Sequence, residues 1–488
     1  MNIVSVFERS AERHPDRVAF TDDVGDTTFA ELLRRAVAFS GLLATSGLAV
    51  GDRVLDLQPN GTRFVESDVA CARSGLVRVC LNPRLTEKDW HRIADNCGAR
   101  GLIVDERYLD RAAALADGMD HVFVLDGDHD RRLAAAPRVG ARIAELVSLN
   151  YTSGTTGAPK GVRRHHSHRL ASLDGMLRAV LPAIPSAGDA YLHAAPMTHT
   201  SGLFTLPFVA AGARQVILDR FDAETFAEAV SRHGVTHTAL VPTMIARLLA
   251  ADVRLGRELT MLGYAGAPLP PEQIRAAHAR LTPALTQYYG LVEAIPPVTV
   301  LDADDHARAV TEQPELLTSA GRPVPGVAVR IVDADGREVP VGEVGEVVTA
   351  GRHVTSGYWG RSTGVKALSN GELHTGDIGR FDADGYLWLV DRLGDMIISG
   401  GYNIYPREIE DVIAAVEGVE HVAVYGVPHE DWGQAVTAAY TGTATAEAVL
   451  TACRRELASF KKPKHVHHLT RMPVNSNGKI DKTELRRS

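Results

Sequence analysis

Cysteine is scarce: Cys71, Cys80, Cys97 and Cys453 are the only four in 488 residues, and none forms a CxxC pair or falls at metal-ligand spacing. That fits buried thiols in a reducing compartment better than a disulfide framework, and offers no cysteine spacing for a metal centre. Long apolar runs are missing as well. No stretch approaches the ~20 residues of a membrane span, and the opening MNIVSVFERSAERHPDRVAF lacks the apolar core of a signal peptide. The expectation is a cytoplasmic protein without a membrane partner. Positive charge is in deficit, with 52 Lys and Arg against 60 Asp and Glu and a net charge of -8, so no global basic field exists to attract nucleic acid. Internal repeats and low-complexity linkers are also missing.

What is present is ordinary for a folded globular chain: 45% hydrophobic and 23% charged residues rule against disorder and collagen. From about residue 27, TTFAELLRRAVAFSGLLATSGLAVGDRV predicts a capped amphipathic helix, closed by glycine and followed by a short strand. The same strand-and-helix rhythm returns in GVTHTALVPTMIARLLA, where β-branched residues give way to helix formers. Such alternation predicts an α/β fold, with a large N-terminal domain of mostly parallel sheets covered by helices.

Between about 320 and 393 the texture changes to short β-like runs broken by turns, predicting a small β-rich part of that domain. Two copies of DADG fall there. An EF-hand loop would need further acidic ligands and a terminal Glu at fixed offsets, so both copies read as plain turns. After DRLGD a smaller α+β C-terminal domain is expected, with a helix in YPREIEDVIAAVEG, a strand in EHVAVYGVP and a helix in AEAVLTACRRELASF. The boundary falls at Gly394, dividing 1–393 from 395–488.

Chemistry is concentrated in five stretches. The first, YTSGTTGAPKGV (151–162), is rich in glycine and hydroxyls like a phosphate cradle, yet G-x-x-x-x-G-K-[ST] cannot be laid on it. Pro159 stands where that pattern needs glycine, and Gly161 where it needs Ser or Thr. The others are YYGLVEA (288–294), HTGDIGRF (374–381), DRLGDMIISGGYNIYPREIE (391–410) and NSNGKIDKTELRR (475–487). In this order and spacing they resemble the adenylate-forming superfamily, which includes acyl-CoA synthetases, luciferases and the adenylation domains of peptide synthetases. The resemblance covers nearly the whole chain and is strongest to bacterial acyl- and aryl-CoA ligases such as chlorobenzoate-CoA ligase.

The resemblance implies an AMP-forming acid-thiol ligase using ATP, Mg2+ and coenzyme A: a carboxylic acid attacks the α-phosphate of ATP, pyrophosphate leaves, and the acyl-adenylate passes its acyl group to the thiol. Thr152, Ser153, Gly154, Thr155, Thr156 and Gly157 would then hold the β- and γ-phosphates, with glycines letting backbone approach the anion, hydroxyls donating, and Lys160 adding charge. Gly266, Ala267 and Gly290 belong to the nucleotide site, Tyr289 would pack on adenine, and Asp377 would accept from the ribose hydroxyls, with Arg392 nearby. Glu293 matches the magnesium ligand. Lys479 matches the lysine that bridges the attacking carboxylate and the α-phosphate, a place where a compact ammonium meets developing negative charge.

In this family the C-terminal domain rotates between the two half-reactions, and the hinge position is Gly394, where many relatives carry Asp or Lys. Glycine meets no steric penalty for large φ changes, so rotation stays feasible. For coenzyme A the resemblance implies Trp432, Phe460, Lys462 and Lys464 at the nucleotide end, and Gly400 and Gly401 along the pantetheine tunnel. His199 would stand beside the reacting carboxylate, with Tyr264, Gly290, Ile295 and Pro296 shaping the acid pocket. The run RRHHSHR (163–169) is not expected to bind metal.

One departure is plain. The family's usual Thr in Y-G-x-T-E is replaced by Val292, which cannot donate a hydrogen bond to the α-phosphate. The alternatives that stay open are acyl transfer to a carrier protein, amide formation, and nitrite activation for diazotisation of an aryl amine. A homodimeric arrangement is equally open.

Overall fold

The computed structural model describes residues 2–152, 159–255, 259–360, 368–369, 371–393, 395–399, 402–429, 432–474 and 480–487. The chain packs into two compact units, Met1–Val329 with Thr349–Leu373, and Arg330–Val348 with His374–Ser488.

The first unit has the α/β architecture expected from the alternating pattern. Helix Phe29–Thr45 starts where the Thr28 side chain accepts from Glu31 N, and it buries Phe29, Leu32, Ala36, Phe39 and Leu43 at three-four spacing. Helix Pro242–Ala250 follows strand His237–Leu240 directly, with proline in its first turn, where a missing N–H leaves no bond unmade. Among the described residues, strands build a nine-stranded sheet whose central members Leu285–Tyr289, Met261–Tyr264, His237–Leu240, Ala190–His193, Arg214–Ile217 and Val18–Thr21 run parallel. A six-stranded sheet lies in the same unit. It runs His121–Leu125, Gly101–Asp105, Arg53–Leu57, Val77–Cys80, Leu146–Thr152 and Lys160–His165, with only the last pair antiparallel.

In the second unit, strands Ile397–Ser399, Tyr402–Ile404, Val419–His429, Gly433–Gly442 and His465–His468 form a sheet packed by helices Pro406–Ala414 and Ala446–Glu456. Its core includes Ile404, Ile409, Ile413, Val424, Val436, Tyr440 and Val449. Both DADG segments are turns: Asp333 Oδ1 accepts from the amides of Asp335 and Arg337, and Asp382 Oδ1 from those of Asp384 and Tyr386. Those bonds give each aspartate the local role that turn chemistry predicts. Cys71, Cys97 and Cys453 are buried; Cys80 is only half-buried. Among the described residues, no helix is long and apolar enough to cross a membrane.

Candidate active site

The glycine- and hydroxyl-rich loop is carried by the hairpin Leu146–Thr152 and Lys160–His165, in which Thr152 pairs with Lys160. Ser153, Gly154, Thr155, Thr156 and Gly157 lie outside the described residues. The hairpin fixes where the loop leaves and returns. A strap from Val354 to Trp359 runs along it: Trp359 N donates to Gly161 O at 2.8 Å, and Arg163 N to Gly357 O at 3.0 Å.

That strap also holds the loop bearing Glu293. Thr355 N donates to Glu293 O at 2.8 Å and Ile295 N to His353 O at 3.1 Å. The Tyr358 hydroxyl donates to Glu293 Oε1 at 2.8 Å, while Lys160 Nζ stands 5.9 Å from the centre of the Tyr358 ring. One tyrosine therefore contacts the Glu293 carboxylate and stands near the Lys160 ammonium. Tyr289 ends strand Leu285–Tyr289 half-buried, and Gly290 must be glycine, because a Cβ there would meet Pro296 Cγ at 2.7 Å. Gly266 adopts φ +88° just after strand Met261–Tyr264, a conformation that side-chain-bearing residues rarely take, and Gly266 and Ala267 are both exposed.

His199 and Ile295 line one cavity of ≈ 90 Å3, with Phe64, Val65, Met197, Leu203 and Leu206 as apolar wall and Asp68, Arg78, Arg164 and Arg169 as charged wall. Pro296 lies half-buried beside it in sequence, and Ser172 Oγ donates to its carbonyl at 2.5 Å. Tyr264 stands elsewhere. It is fully buried, and its hydroxyl lies 2.8 Å from His306 Nε2. Because His306 Nδ1 sits 2.7 Å from the Asp302 carbonyl, which can only accept, Nδ1 carries the proton and Nε2 accepts from the tyrosine. Burial holds His306 neutral, lowering it to about 4.

In the second unit Asp377 is buried and lies opposite Arg392 across paired strands, with Arg392 Nε 3.0 Å from Asp377 Oδ1. Trp432 stacks on His429 at 4.4 Å between ring centres, and Lys464 Nζ sits 4.3 Å over the Trp432 ring. Phe460 is exposed and Lys462 half-buried, while Lys461, not assigned from sequence, is engaged by Glu408 at 2.6 Å. Gly394, Gly400, Gly401 and Lys479 lie outside the described residues.

Sequence reasoning missed Tyr358 and Arg164. The aromatic pair in SGYWG and the doubled arginine after PKGV were the only signals available. Their partners Glu293 and Val292 are reached only through the fold: Arg164 Nη2 lies 3.4 Å from Val292 O.

A mostly parallel α/β scaffold in which one strap ties the hairpin flanking a glycine-rich segment to a glutamate-bearing loop has the parts that a nucleotide-binding enzyme needs. Comparison with known proteins makes this specific: the chain belongs to the AMP-binding enzyme family, which it matches over residues 7–359, with the AMP-binding enzyme C-terminal domain over 408–479. It is 35% identical to feruloyl-CoA synthase of an Amycolatopsis species, over 98% of this chain and 97% of that one. With 2-succinylbenzoate–CoA ligase of Bacillus cereus strain Q1 it shares 32% identity, over 97% and 96%. Among solved structures, the amide bond synthetase McbA of Marinactinospora thermotolerans superposes with a TM-score of 0.89 at 30% identity, covering 100% of this chain and 99% of that one. The o-succinylbenzoate CoA synthetase of Bacillus subtilis, in complex with its acyl-adenylate, gives 0.88 at 28% identity, covering 99% and 97%.

Proposed function

We propose that this chain is an ATP- and Mg-dependent carboxylic acid–CoA ligase, forming an acyl-adenylate and pyrophosphate, then a CoA thioester and AMP. The observation that carries the reading is the strap tying Glu293 to the hairpin of the phosphate loop, with Tyr358 in contact with Glu293 and near Lys160. The CoA-ligase relatives, matched over nearly their full length, support it.

Glu293 suits magnesium. Magnesium in phosphoryl-transfer sites is commonly held by one or two carboxylates together with waters and phosphate oxygens, and Glu293 would supply such a carboxylate. The bound ion would neutralise phosphate charge. Lys160 and the loop's amides and hydroxyls hold the β- and γ-phosphates, Tyr289 packs on adenine, and Asp377 accepts from the ribose with Arg392 oriented against it. Lys479 steadies the attacking carboxylate against the α-phosphate. Residues 1–393 form the adenylation core and 395–488 the moving domain, hinged at Gly394.

Replacing Val292 with Thr is expected to preserve folding and raise the adenylation rate about two- to tenfold, since a hydroxyl there would donate to a charged phosphate oxygen. Stopped-flow measurement of pyrophosphate release checks this. A drop beyond about tenfold would mean that valine serves different chemistry.

Coenzyme A is read as the acceptor because Trp432 and Lys464 already form one exposed stacking and cationic surface. Lys462→Glu combined with Lys464→Glu should leave adenylation intact and raise the KM for coenzyme A on the order of tenfold, through lost phosphate pairing. An unchanged KM would move the acceptor elsewhere. The likeness to an amide bond synthetase favours a second reading, in which an amine takes the acyl group. Supplying adenylate with coenzyme A, an aryl amine or a carrier protein in parallel separates the two.

A further inference from the structure

The cavity beside His199 has a wall that apolar packing does not explain. One face of the six-stranded sheet presents Arg78 and Cys80 from strand Val77–Cys80, Ser148 and Asn150 from the next, and Arg164 from the edge strand. Most of this charge is internally balanced. Arg78 reaches Asp56 at 2.5 Å and Asp68 at 3.2 Å and donates to Phe64 O at 2.8 Å, and Arg169 grips both oxygens of Asp68 at 2.9 and 2.7 Å. Burial would raise Asp68, but Arg169 and Arg78 outweigh it and hold it near 2. Two carboxylates are thus spent on two arginines.

Arg164 is the third arginine. Its Nε is buried with no hydrogen-bond partner among the described residues, and its one hydrogen bond there is the long contact to Val292 O at 3.4 Å. Glu293 acts on Arg164 electrostatically, yet its carboxylate is engaged by Tyr358 and is the one assigned to magnesium. Beside Arg164, Ser148 Oγ donates to Asn150 Oδ1 at 3.1 Å, which turns the Asn150 amide nitrogen away from that pair, without a partner among the described residues. Burial, reinforced by the like charge of Arg169, lowers Arg164 to about 10, so the guanidinium gains from any anion brought to it. The buried Arg164 Nε is a donor that a bound ligand would complete.

We propose that this cavity binds a planar oxyanion on the Arg164 guanidinium and the Asn150 amide, supplied either by a second carboxylate on the acid substrate or by a small free anion. The proposal rests on reading the His199 and Ile295 wall as the acid site. It assigns Arg164 as a specificity-determining residue: an acid with a negative group held away from its reacting carboxylate would be preferred over the acid lacking it.

The test is titration calorimetry of the full chain at fixed ionic strength with malonate, propionate, nitrite and chloride, for wild type, Arg164→Lys, Arg164→Leu and Asn150→Ala. Wild type should bind malonate or nitrite at least tenfold tighter than chloride, and propionate, with a single carboxylate for the two positions that malonate fills, should bind more weakly than malonate. Arg164→Leu should lose at least tenfold of that preference and Arg164→Lys should retain most of it. Should the leucine variant not fold, Asn150→Ala carries the test with a loss of at least threefold. Tight malonate with weak nitrite assigns the anion to the substrate, and the reverse assigns a free anion. Equal binding of all four, or preference unchanged in Arg164→Leu and Asn150→Ala, overturns the proposal. Acid-dependent pyrophosphate exchange on the same preparations separates the two readings: exchange with propionate but no anion preference sinks only the anion site, whereas anion binding without exchange by any acid sinks only the ligase reading.

Discussion

Lys479→Ala is expected to slow adenylate formation on the order of 10^3-fold while a supplied acyl-adenylate is still converted to thioester at close to the wild-type rate. The first step brings a carboxylate against a polyphosphate, and the ammonium is the group assigned to relieve that repulsion as charge develops at the α-phosphate. In the second step the phosphate is a leaving group and a thiol attacks, so the same ammonium is not needed there. The lysine sits in NGKIDK on the C-terminal domain, which the family resemblance makes the moving part. Single-turnover thioester formation from synthetic adenylate, run beside pyrophosphate release, reads the two steps separately. Equal loss of both would remove the support for two poses about Gly394.

The second large effect belongs to Glu293→Gln, which removes charge with little change in volume. Adenylation should fall on the order of 10^2-fold and its magnesium dependence should shift to higher concentration, since one anionic ligand is lost while phosphate oxygens remain. Thr355 donates to the backbone of residue 293, and the Tyr358 hydroxyl can still donate to the amide oxygen of glutamine, so the strap should stay closed and the melting temperature nearly constant. An unchanged rate and metal dependence would show that the ion rests elsewhere.

Much of this was legible because it is local. Thr28 caps its helix within three residues, Pro242 starts another, and the two DADG turns close on their own amides. The α/β class follows from such pieces repeated in order. Motif residues also carried their neighbours: Trp432 and Lys464, 32 residues apart in sequence, meet in the fold. What could not be read is whatever depends on crossovers between distant strands. The polar sheet face draws Arg78, Asn150 and Arg164 from three strands, and the strap joins 354–359 to 161 and 293. Neither has a periodic or motif signature. Tyr264 illustrates the converse, since its place next to a motif suggested a pocket wall while strand His237–Leu240 and strand Leu285–Tyr289 flank it on both sides, and His306 takes its hydroxyl.

Activation of a carboxylic acid at the expense of ATP is the step on which every other assigned role depends. Acid-dependent exchange of labelled pyrophosphate into ATP, measured across aryl, fatty and dicarboxylic acids with and without magnesium, tests it most directly. The expected result is exchange that requires both an acid and magnesium, falls away in Glu293→Gln and Lys479→Ala, and gives way to AMP and a thioester when coenzyme A is added. ATP binding with no exchange for any acid, or exchange that proceeds equally without acid, would contradict it.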